Sequence, residues 1–206
     1  MRKLTPFLLL SCVLFALISC QKEKSLDSSG GKSGAGYAEV GTWKLLFIRS
    51  TASQSIIISD RINETKDVTI RDFTSTDNGG TLKFTGSTMT TTGLTFTIDG
   101  IAKTYFYING SVDDSLETPF AAILPPANLA DGYKKISPDS LNFQTGVLSA
   151  IISGGTQTIP TGYKLTFDGD KMIMTSAYNN SKRTFISGAT QWVVDQEVTD
   201  IVLQKQ

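Results

Sequence analysis

The 206 residues include two cysteines and no histidine. Histidine is the usual general base near neutral pH and the commonest metal ligand. Its absence removes Ser-His-Asp and Cys-His nucleophilic sites and His-ligated metals. Cys12 and Cys20 both lie within the first 20 residues, so the rest of the chain has no disulfide, thiolate nucleophile or Cys-ligated zinc. Carboxylates and aromatic faces remain. Asp113, Asp114 and Glu117 contain the acids a glycoside hydrolase would set on either side of a scissile bond, but adjacent aspartates in a proline-rich stretch read more simply as a solvated turn. Asp168-Gly169-Asp170 offers hard oxygen ligands without the further spacing of a calcium loop, and turn chemistry explains it. No metal and no cofactor is expected. Tyr105, Tyr107, Tyr133 and Tyr178 are the candidates for ligand contact, because a tyrosine offers an apolar ring with a polar tip.

Charge and the N-terminus narrow the class further. Without Arg2 and Lys3 the chain carries 17 basic and 19 acidic residues, a net of −2, and no basic patch to follow a phosphate backbone, so nucleic acid is not an expected partner. Met1-Arg2-Lys3 followed by the apolar run from Leu4 to Ile18 has the form of a secretory signal. That run is shorter than the roughly 20 residues a helical span requires. Leu17-Ile18-Ser19-Cys20 resembles the lipobox of bacterial lipoproteins, which implies cleavage after residue 19 and lipid on Cys20. Residues 20–36 then form a lipidated, Gly/Ser-rich tether. In such lipoproteins Gln21 is compatible with the outer membrane, the periplasmic or surface face staying open.

From Gly41 onward the pattern is period two, rich in Thr and aromatics, with glycine-containing turns. Trp43, Leu45 and Phe47 mark a first strand, with Ile56–Ile58 and Val68–Ile70 the next two. Asn78-Gly79-Gly80 and Gly86-Ser87 read as turns. Asp99-Gly100 reads as a hairpin loop, bulged so that Ala102, Thr104, Phe106 and Ile108 face inward with Phe96. Asp168-Gly169 reads as a second loop, with Leu165 opposite Met172 and Tyr163 opposite Met174. Asp195-Gln196 reads as a turn before a last strand, Val198–Leu203, that pairs with the first. Residues 109–146 hold four of the six prolines and read as an irregular insertion, with a short helix over Ser140–Gln144.

Gly41-Thr42-Trp43-Lys44, after a lipobox and polar linker, and the ending Leu203-Gln204-Lys205-Gln206 are similar to lipocalin-like lipoproteins of the Bacteroidetes type. The resemblance covers residues 37–206. It implies an antiparallel β-barrel of about 8–10 strands in which Trp43 plugs the closed end and a late arginine, here Arg183, packs across it. The Thr-Asp-x-x-Tyr element of true lipocalins is absent. A β-sandwich is the alternative fold.

The functional expectation is a non-enzymatic, lipid-anchored binding module for a small apolar or glycan ligand, or for an envelope protein. The alternatives are a β-sandwich adhesin and a carboxylate-only hydrolase. A barrel site calls for an apolar cavity open at one end, whereas a hydrolase calls for two carboxylates facing each other across about 5 to 10 Å.

Overall fold

The computed structural model describes residues 37–60, 62–152, 161–186 and 188–206. The signal, the lipobox cysteine and the tether lie outside the described residues. The domain is all-β and antiparallel, with one short helix among the described residues. Its elements are β1 (Gly41–Ser59), β2 (Glu64–Thr74), β3 (Thr76–Phe84), β4 (Thr88–Ile108), β5 (Ser111–Ala127), β6 (Ala130–Ser137), β7 (Ser140–Phe143), α1 (Val147–Ile152), β8 (Gly162–Asp168), β9 (Lys171–Ile186) and β10 (Ala189–Lys205). The strands follow the order β10-β9-β8-β7-β6-β4-β2-β1-β3, with β5 on β4, and the pairs β10–β1 and β4–β3 close the hydrogen bonding into a ring.

Strands β2 and β3 form one path along β1 and β4, interrupted at Ser75. There the backbone N–H of Ser75 donates to the Ile48 carbonyl and the Ile48 N–H donates to Ser75 Oγ, both at 2.8 Å. A side chain thus takes over a ladder position, and the strand bends without stranding a buried donor.

The ring is complete only at the Trp43 end. Among the described residues β8 reaches only Lys171–Thr175 of β9, leaving the rest of β9 with β10 as its one partner, and β5 pairs with β4 alone. Beyond that point β9, β10, β1, β2, β4 and β5 continue as a six-stranded sheet.

Alternate residues fill the ring interior, except on β1, where a register shift after Leu45 puts Ile48 inward instead of the expected Phe47. Trp43, Leu45, Ile48, Phe84, Phe96, Leu165, Met174 and Leu203 are each at most 3% exposed, and burying one such side chain contributes about 1.5–3 kcal/mol. Phe84, Tyr133, Phe143 and Tyr163 contact in sequence across β3, β6, β7 and β8, with centroids 5.9, 5.8 and 5.5 Å apart. α1 adds Leu148 and Ile152 to the same core.

Several turns expected from the sequence are strand. Asp99-Gly100 lies inside β4, and Gly100 is there for packing. A Cβ on it would stand 2.8 Å from Phe120 Cζ. The continuous strand itself puts Ala102, Thr104, Phe106 and Ile108 on the Phe96 face. Asn78-Gly79-Gly80 lies within β3, where the register shifts on both sides of Gly79. Asp195-Gln196 lies within β10, where Asp195 accepts from Gln54 at 2.8 Å. The loop expected at Asp168-Gly169 falls one residue later, at Gly169-Asp170. This pairs Leu165 with Met174 and Phe167 with Met172, and Gly169 takes φ 59° at the first turn position.

Residues 109–146 are mostly strand, contrary to the expected irregular insertion. β5 is an edge strand, which tolerates proline. Pro125 and Pro126 sit opposite Thr95, where the β4–β5 register shifts. Ser140–Phe143 is strand β7, and the helix comes at Val147–Ile152.

Candidate functional site

Residues directly paired in a sheet share a face. Arg183 on β9 pairs with Trp192 on β10, Trp192 with Ile57 on β1, Ile57 with Lys66 on β2, and Lys66 with Tyr107 on β4. On β1 the core takes Ile48 and Ser50, so Ile57 and its row lie on the opposite, outward face. One step nearer the sheet tip the same face carries Phe185, Thr190, Ser59 and Glu64.

At this tip lies a hollow of about 710 Å³ lined by Ile57, Ser59, Asp60, Ile62, Glu64, Arg183, Phe185, Gly188, Thr190 and Trp192. Trp192 is 46% exposed and Phe185 75%. The Arg183 guanidinium lies 5.5 Å from the Trp192 ring centroid, a cation–π contact. Asp60 shapes the rim: its Oδ1 accepts from the N–H groups of Ile62 and Asn63, both at 2.7 Å. The Asn63 and then the Ile62 hydrogen bond hold its carboxyl below the usual aspartate value. A smaller hollow of about 310 Å³ continues along Ser181, Trp192 and Val194.

Tyr105 and Tyr107 lie half-buried on this outward face, opposite Val68 and Lys66, and Lys66 Nζ stands 5.6 Å from the Tyr107 ring. Tyr178 is on the other face, opposite Glu197. Tyr133 is not a surface ligand contact: it is 2% exposed in the core, where its Oη accepts from Gly86 N–H at 2.9 Å. Burial, reinforced by the Glu39 charge, pushes its hydroxyl up to about 12.

Trp43 is buried, and its indole N–H donates to the Glu39 carbonyl at 2.8 Å. The cation over its ring is Lys205, at 5.8 Å. Arg183, assigned to Trp43 by the resemblance, stacks on Trp192 instead because it lies near the far end of β9.

Of the acids considered for catalysis, Glu117 pairs with Lys103 at 3.0 Å and Asp114 accepts from Ser115 N–H at 2.7 Å. Asp170, considered as a hard-cation ligand, accepts from Gln204 at 2.8 Å. Trp192, Phe185, Ile57 and Ile62 were not singled out from sequence. The available signal was the alternation Arg183-x-Phe185 and Trp192-x-Val194 on consecutive strands. No known protein family, curated protein or solved structure matches the chain.

Proposed function

We propose that the protein is a lipoprotein anchored in the outer membrane through Cys20, whose β domain is a non-enzymatic binding module that takes a glycan in the Trp192 hollow. The observation that carries this reading is the exposure of Trp192 and Phe185 beside Arg183, Glu64, Ser59 and Thr190. Aromatic rings stack on the C–H face of a pyranose while polar groups around them bond its hydroxyls. The filled ring interior favours an external site over an internal apolar one. A chain without imidazole supports binding over catalysis.

The binding test uses the detergent-solubilised protein on a printed glycan array. The expected result is binding to one or more glycans, weakened roughly tenfold or more by Trp192→Ala, in line with an anchoring aromatic. An array without binding, or a Trp192→Ala protein that binds like the wild type, would overturn the reading. The anchor is tested separately by mass spectrometry of Cys20→Ala. Loss of acylation is expected, and normal acylation would refute the assignment.

A further inference from the structure

We infer that the glycan is a linear anionic chain lying across the strands from the Trp192 hollow to Tyr107, an inference that rests on the binding function proposed above. The row Arg183, Trp192, Ile57, Lys66 and Tyr107 crosses five adjacent strands. At about 4.8 Å per strand, Trp192 and Tyr107 stand roughly 14 Å apart, further than one sugar ring reaches. The neighbouring row of Val194, Ser55, Val68 and Tyr105 extends the surface alongside it.

Both ends of the row have the same construction, a cation over an aromatic ring: Arg183 at 5.5 Å from Trp192 and Lys66 at 5.6 Å from Tyr107. Arg49, Lys103 and Lys135 form ion pairs with Asp200, Glu117 and Glu39. Among the described residues neither Arg183 nor Lys66 has a carboxylate partner. Their charges are therefore placed to meet anionic groups repeated along a chain, whether uronate carboxylates or sulfates. Two carboxylates line the hollow at the Trp192 end of the row. Asp60 is engaged by the backbone N–H groups of its own loop, which leaves Glu64, on the Lys66 face of β2, as the opposing charge.

The test is electrophoresis of the detergent-solubilised protein through gels containing pectate, heparin or neutral hydroxyethylcellulose. Retardation by pectate or heparin is expected, falling as salt rises, and which of the two retards distinguishes uronate from sulfate. Lys66→Gln and Tyr107→Ala should each weaken it roughly tenfold, and Glu64→Gln should strengthen it. Equal retardation by the neutral polymer, or indifference to both Lys66→Gln and Tyr107→Ala, would overturn the inference. If Trp192→Ala alone abolishes glycan binding, the hollow stands and the extended row falls. If no glycan of the array binds, the underlying function falls with it.

Discussion

The indole of Trp192 lies beneath the Arg183 guanidinium at 5.5 Å, near one end of β10, while Trp43 pairs with Lys205 at the other end of that strand. The chain has two tryptophans, and the strand separates their environments. Trp43 is buried in the packed interior, whereas Trp192 is presented outward beside a charged rim. The outward set belongs to a sheet that continues past the closed ring, where β7 and β8 no longer cover it.

The Glu39–Lys135 pair ties the residues preceding β1 to β6. Glu39 is fully buried, and Lys135 Nζ bonds its Oε2 at 2.8 Å. Lys135→Met leaves that carboxylate without its cation and should lower stability by about 3 kcal/mol, read from urea denaturation. The double variant Glu39→Gln, Lys135→Met should be clearly less destabilised, because no buried charge is left uncompensated.

Stability should fall in alkali. Burial pushes the Tyr163 hydroxyl up to about 12, against the hydrogen bonds from Ser149 and Ser176, and burial also pushes Tyr133 up to about 12. Below pH 10 both tyrosines are protonated in the folded and the unfolded chain, and neither contributes a pH dependence. Between about pH 10 and 12 the unfolded chain ionises first, so each lowers stability by up to roughly 2–3 kcal/mol. Tyr163→Phe should flatten that decline in denaturation midpoints measured from pH 9 to 12.

Two left-handed glycines separate backbone strain from crowding. A Cβ on Gly80, at φ 86°, would stand 2.5 Å from the Gly93 carbonyl oxygen, whereas one on Gly93, at φ 59°, meets nothing within 4 Å. Gly93→Ala should cost about 1–2 kcal/mol from conformation alone. Gly80→Ala should cost a further 1–3 kcal/mol, roughly, from forcing two strands apart, visible as a lower thermal midpoint.

The alternation that places Trp43, Leu45, Leu165, Met172 and Met174 inward was readable in the sequence, as was the pairing of the last strand with the first. Punctuation was not. Gly100 makes room for Phe120 and Gly169 makes a turn, yet both follow an aspartate, and only the neighbouring strand separates these two uses of glycine. The prolines of β5 were legible as breaks in a central strand but not as residues on an edge. The candidate site was hidden for a related reason: Arg183, Trp192, Ile57, Lys66 and Tyr107 become one row only through the register of four strand pairs. Tyr105 and Tyr107 were recognisable by alternation, whereas Trp192 passed as ordinary strand.

The most direct test of where the ligand sits uses the two tryptophans as reporters. Trp43→Phe leaves Trp192 to emit alone, and Trp192→Phe leaves Trp43. Titrating each protein with the acidic polysaccharide that retards the wild type most should shift or quench the emission of the Trp43→Phe protein and leave that of Trp192→Phe unchanged. A ligand-dependent change confined to the Trp192→Phe protein would put the ligand at the packed end of the ring and contradict the outward site.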